Sequence, residues 1–212
     1  MRTAAFVLVG ASVAAAATWA LVSFVLYPDV VLNYRLMAEV EMRGKTYTGS
    51  AVIKTRWRQT LLNPLGLADD WSEREMGEAV VVDMAEEGVV LVTMAGYTQQ
   101  QPKLLPQMVF GPEEGARTFR GHLQALARDR RVKRVEPKRV PVVIWLKDRL
   151  DPSSAACIEP DGGALADANV PTFPRVQMQM TDEPPTERIY TILPWLIPIA
   201  ESYDLSVDGS PS

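Results

Sequence analysis

Imidazole or thiol chemistry in this chain would have to run through one side chain of each kind. His122 is the one imidazole and Cys157 the one thiol in 212 residues. A Ser-His-Asp triad would have to use His122, which follows Gly121 on the exposed-looking side of a basic helix, and no G-x-S-x-G elbow accompanies it. A Ser-Lys pair is the sharper option, and Ser50 and Lys54 are the tempting partners. Residues 46–57 read as a strand, however, and four residues along a strand separate two side chains by about 13 Å, beyond hydrogen-bond reach.

Carboxylates are more plentiful. Asp148, Asp151, Glu159 and Asp161 lie in one loop-rich stretch and are candidate oxygen ligands for Ca²⁺ or Mg²⁺. Their spacing matches no EF-hand. Asp151-Pro152-Ser153 and Pro160-Asp161-Gly162 read first as turns, in which an Asp side chain accepts from nearby backbone amides. A hydrolase using these acids would need two of Asp148, Asp151, Asp161 and Asp182 to converge in a pocket with shifted pKa values. One Cys and one His cannot build an ordinary zinc site, and one Cys cannot form an intrachain disulfide. No phosphate-cradling glycine loop, dinucleotide fingerprint or haem attachment pattern is present, so no cofactor is expected. Asp69, Asp70, Glu73 and Glu75 read as a solvated acidic loop.

Charge is segregated. The formal net charge is −4, yet Arg117–Arg139 holds nine Lys or Arg against Asp129 and Glu136 and so carries +7, leaving −11 elsewhere. Arg128, Arg130, Arg131, Lys133 and Arg134 form its densest part. Such a run can contact anionic lipid headgroups or an acidic partner surface, or it can be a solvated helix end paired with acids of its own domain. It lacks interleaved aromatic residues for base stacking, so nucleic acid is not expected.

The elements that must position these groups are mainly strands. Residues 34–42 alternate, with Tyr34, Leu36, Ala38, Val40 and Met42 on one face and Arg35, Glu39 and Glu41 on the other. Gly44-Lys45 predicts a type II′ turn into a return strand from Thr46 to about Trp57. A second hairpin is expected at Ala79–Met84 and Val89–Met94, and its continuously apolar runs predict strands central in a sheet. Pro102 and Pro106 mark a connection. Gly111-Pro112-Glu113-Glu114 opens a helix whose stripe of Ala116, Phe119, Leu123, Leu126 and Ala127 runs to about Asp129. Val142–Leu146 and Val176–Met180 are further strands. Pro194–Pro198 is apolar but too short to span a bilayer, and it is expected to cap the core.

The first segment sets the location. No charge lies between Arg2 and Asp29, and ~24 helical residues span about 36 Å, enough for a ~30 Å hydrocarbon core. A cleaved signal peptide would not need the extension through Trp19 to Tyr27, so an uncleaved anchor is favoured. Gly10 with Ala14, and Ser12 with Ala16, are small residues four apart that let another helix approach, and Trp19 suits an interfacial position. Arg2 favours an inside N-terminus. The whole is expected to be α+β: a transmembrane helix at 1–28, one β-rich domain of antiparallel hairpins with one main amphipathic helix at 29–205, and a frayed tail at 206–212.

The blocks YRLMAEVE (34–41), TGSAVIKTRW (48–57), GEAVVVDM (77–84), DPSSAACIEPD (151–161) and TDEPPTERIYTILPWL (181–196) resemble those of a family of uncharacterised proteobacterial envelope proteins. Those proteins pair a short N-terminal membrane or export segment with a β-rich domain, and they carry no assigned activity. The resemblance implies an envelope location, and with the anchor and its inside N-terminus the expectation is a single-pass protein of the bacterial inner membrane with a periplasmic domain. Charge segregation and the shortage of catalytic residue types then favour a non-enzymatic interaction or accessory subunit of an envelope assembly. Its partners would be the membrane and another envelope protein. The alternative is an anchored hydrolase or ligand-binding domain using loop carboxylates, and a third reading is a structural protein self-associating through its alanine-rich helix.

Overall fold

A computed structural model of the chain describes residues 28–59, 71–95, 104–111, 118–159 and 169–197. Along the chain come β1 (Val30–Met42), β2 (Lys45–Gln59), β3 (Trp71–Met76), β4 (Val80–Asp83) and β5 (Val89–Val92). Then follow α1 (Leu105–Phe110), α2 (Phe119–Leu126), β6 (Val132–Arg134), β7 (Val143–Leu146), β8 (Ala155–Ile158), β9 (Arg175–Thr181) and α3 (Ile189–Ile192). The strands form two sheets, ordered β3-β2-β1-β9-β6 and β4-β5-β7-β8.

The chain divides into two units, Met1–Val31 with Thr55–Arg74, and Leu32–Lys54 with Glu75–Ser212. In the first, Arg58 donates to both oxygens of Asp29 at 3.0 and 3.1 Å. The buried Trp57 indole N–H donates to the Thr55 hydroxyl at 3.3 Å. All residues of the site described below belong to the second unit.

The alternation read from 34–42 is the organising feature of that second unit. Leu32, Tyr34, Leu36, Ala38 and Val40 on β1 are buried, as are Val176, Met178 and Met180 on β9. The antiparallel register pairs Met37 with Gln177 and Glu39 with Arg175, which puts like faces together. One face of the sheet is therefore core and the other polar. The turn after β1 is Arg43-Gly44 rather than Gly44-Lys45, with φ of 50° and 72°. Two successive positive φ values define a type I′ turn, whose twist suits the flanking strands. Arg43, uncommon in this conformation, is held by Glu87 at 2.7 Å and Asn169 at 3.0 Å.

In the second sheet the expectation of central strands holds for one of two. β5 lies between β4 and β7, and all four of its residues are buried. β4 is an edge strand whose Asp83 is exposed, because its continuous valines read the same whether or not a neighbour follows. Val89, Leu91, Leu146 and Leu193 form a buried cluster, against which Ile189, Ile192, Trp195 and Leu196 pack. Pro194–Ile197 thus covers core, with the Trp195 indole N–H donating to the Arg149 carbonyl at 2.8 Å. Burying a leucine such as Leu193 is worth roughly 1.5–3 kcal/mol.

Three strands arise where none was expected. β3 occupies part of the acidic stretch, β6 part of the basic run and β8 the loop-rich segment around Cys157. Each is short and draws its stability from a neighbouring strand more than from its own pattern. Residues around Pro106 form a helix, α1, with that proline in its first turn. The main helix begins at Phe119, capped by the Thr118 hydroxyl accepting from the Gly121 amide at 3.0 Å. Among the described residues no helix is long and apolar enough to cross a membrane. The expected anchor, with Gly10, Ser12, Ala14, Ala16 and Trp19, and the tail at 206–212 lie outside the described residues.

Candidate functional site

The basic run is divided at β6, where Lys133 and Arg134 take opposite faces. Arg130 donates to Asp182 at 2.6 Å and to the Ala127 carbonyl at 3.0 Å. Arg131 pairs with Asp129 at 2.5 Å, and that ion pair holds the Asp129 carboxyl below its ordinary range. Lys133 reaches the Phe110 carbonyl at 3.1 Å and lies 5.0 Å from the centre of its ring. Arg128 is exposed beyond α2. Arg134, one residue past Lys133 on β6, is on the opposite face and exposed.

Arg134 lines a groove of about 790 Å³ on the polar face of the first sheet. The register places it opposite Gln177, which in turn lies opposite Met37 on β1. Arg175, two residues before Gln177 on β9, is the diagonal neighbour of Arg134, with Cα atoms about 7–8 Å apart. Thr48 and Ser50 of β2 add hydroxyls, and Val81, Asp83, Glu78, Arg188 and Ile192 complete the wall.

Two close contacts hold that wall. At Gly49 a Cβ would stand 2.1 Å from the Val81 carbonyl oxygen, so only glycine lets β2 lie this near β4. Glu78, 8% exposed, accepts from the backbone amides of Arg188 and Ile189, the latter at 2.6 Å. The segment before α3 is tied further to β2, since the Thr186 amide donates to the Val52 carbonyl at 3.0 Å.

The carboxylates of the groove are all engaged. Glu78 serves those amides, Glu39 pairs with Arg175, and Asp83 pairs with Arg149 at 2.8 Å. Arg175 also meets Glu41 at 2.9 Å. The guanidiniums of Arg134 and Arg188 differ. Arg188 makes one long approach, 3.5 Å, to the Ser50 carbonyl. Arg134 has no side-chain hydrogen bond or ion pair among the described residues. The groove therefore presents two cations with donors to spare.

The other sequence candidates are elsewhere. Asp148 accepts from the Leu150 amide at 2.9 Å, and Asp151 from the Ser153 amide at 2.9 Å and hydroxyl at 2.6 Å. Those Ser153 hydrogen bonds hold the Asp151 carboxyl below its ordinary range. Both acids are turn-forming, and Asp182 is bound to Arg130, so these three are not brought together in the groove. Asp161 lies outside the described residues. No cluster of three metal-ligating side chains occurs among the described residues. Ser50 and Lys54 stay on one strand, four residues apart. Cys157 is exposed on β8 and His122 is half-buried on α2.

One acid of the expected solvated loop is half-buried on a strand instead. Glu75, on β3, accepts a hydrogen bond from the buried Tyr34 hydroxyl at 3.1 Å. Desolvation raises its carboxyl pKa, opposed by that hydrogen bond, and burial likewise raises the Tyr34 phenol. Arg175, Arg188 and Glu78 were not singled out from sequence. The signal for Arg175 was present, in the alternation of 175, 177 and 179 against 176, 178 and 180. No family model, curated protein or solved structure matches this chain, so no family is assigned and the site is read from its own chemistry.

Proposed function

We propose that this chain is a single-pass, membrane-anchored envelope protein whose β-rich domain is a non-enzymatic binding module serving as an accessory subunit of an envelope assembly. The uncharged run between Arg2 and Asp29 supports the anchor, being long enough to span a bilayer. The observation that carries the binding role is the groove, whose carboxylates are each committed to internal partners while Arg134 and Arg188 keep open donors. A carboxylate whose oxygen is already hydrogen-bonded to an internal donor is poorly placed to take a substrate proton, whereas a guanidinium with free donors is a ready anchor for an anionic group.

Two measurements on the full-length protein test this reading. Alkaline carbonate extraction of native membranes should leave the chain in the pellet; recovery in the soluble fraction would remove the anchored reading. Gentle solubilisation followed by mass spectrometry should then return a defined, stoichiometric partner set. Charge reversal at the exposed Arg128 and Arg134 should weaken that complex. A solitary protein would overturn the accessory role.

A further inference from the structure

We propose that the groove is a ligand site for a small polar acid, a carboxylate or phosphate carried on a hydroxyl-rich body, gripped by Arg134 and Arg188. The inference rests on the binding-module reading and names what that module holds. Its volume, about 790 Å³, falls within the usual range for small-molecule sites. A guanidinium presents a planar fork of donors that matches a carboxylate or phosphate two bonds at a time. In this groove two such forks lack carboxylate partners among the described residues, while Arg175, which also lines it, is already neutralised by Glu39 and Glu41.

The rest of the lining sets the body of the ligand. Ser50, Thr48 and Gln177 offer hydroxyls and an amide, which donate to and accept from hydroxyl groups. The site is also built to keep its shape. Arg188 is fixed through its backbone amide by the buried Glu78, which leaves its side chain available. Arg134 projects from a strand whose neighbour on the sequence, Lys133, is pinned on the other face. These contacts fix the backbone that carries both guanidiniums, so ordering on binding is confined to their side chains.

The test is a calorimetric titration of the full-length protein in detergent with glucose 6-phosphate, glucuronate and glucose. The expected result is saturable binding of at least one acid and none of glucose; the acid preferred identifies phosphate or carboxylate as the anionic group. Arg134→Gln and Arg188→Gln should each weaken that binding by about tenfold or more. Lys45→Gln, a change of equal charge at an exposed position outside the groove, should leave it within twofold. Unchanged thermal unfolding would show that each variant still folds. Failure of both acids to bind at millimolar concentration would overturn the proposal, as would equal losses in all three variants. Retention of a protein partner in that case would leave the docking role standing. Release of inorganic phosphate from glucose 6-phosphate by the wild-type chain, abolished by Arg134→Gln, would instead overturn the non-enzymatic reading.

Discussion

Two regions of this protein concentrate ionisable residues, and they use them in opposite ways. In the turn at 148–154, Asp148 and Asp151 accept from amides two residues along the chain, so each charge is satisfied by its own neighbourhood. In the groove, Glu39 and Glu78 are satisfied by Arg175 and by the amides of 188 and 189, and Asp83 adds the distant Arg149 to the Ala85 amide beside it. Local satisfaction leaves nothing over for a ligand. Long-range assembly can leave a remainder, and here that remainder is two guanidiniums.

The comparison can be broken from either side. The largest effect should come from Gly49→Ala, because the added carbon would meet the Val81 carbonyl, a backbone atom that cannot step aside. A loss of about 3 kcal/mol or more is expected in chemical denaturation, together with loss of groove binding, since overpacking displaces the wall itself. Glu78→Ala comes next. It leaves the amides of Arg188 and Ile189 without their acceptor, at about 1.5–3 kcal/mol, and Glu78→Gln, which keeps one carbonyl oxygen, should recover part of this.

Smaller effects appear as changes in the pH dependence of stability. The Glu75 carboxyl is raised by desolvation, so the folded state binds its proton more tightly than the unfolded chain does. Its contribution is therefore present below the unfolded carboxyl pKa and is lost as pH rises through the folded one. Melting of Glu75→Gln, which stays neutral, should lack that decline while the wild type shows it. Asp151 has the reverse sign and the smallest effect, being exposed. Its depressed pKa gives stability above the unfolded value that is lost as pH falls through the folded one. Asp151→Asn should flatten the acid limb of the melting curve slightly and leave groove binding untouched. A binding change in that variant would show that turn and groove are coupled.

Much of the fold was legible, and the exceptions have a common cause. β1 and β9 alternate over seven or more residues, and that periodicity survives any tertiary context. β6 and β8, three and four residues long, carry too few side chains to show a period and exist because β9 and β7 supply hydrogen-bond partners. The single-residue error at the first turn came from reading Gly44 as its first central residue, when a non-glycine, Arg43, takes that place under the hold of Glu87 and Asn169. The candidate site was less legible. Arg134 was named, but as one member of a continuous patch, since five basic residues within seven positions look alike until a strand sends neighbours to opposite faces.

By itself the sequence determined an uncharged N-terminal run long enough to span a bilayer, alternating strands with one buried face at β1 and β9, and a chain with a single imidazole and a single thiol. Those properties follow from composition and from periods of two and 3.6 residues, which act locally. Only the tertiary structure decided which charges are neutralised and which are left open. Arg134, Arg175 and Arg188 come from three separate segments, and the partners that engage them lie as far as 138 residues away. Electrostatic interaction depends on distance in space, and the order of residues along the chain does not encode that distance.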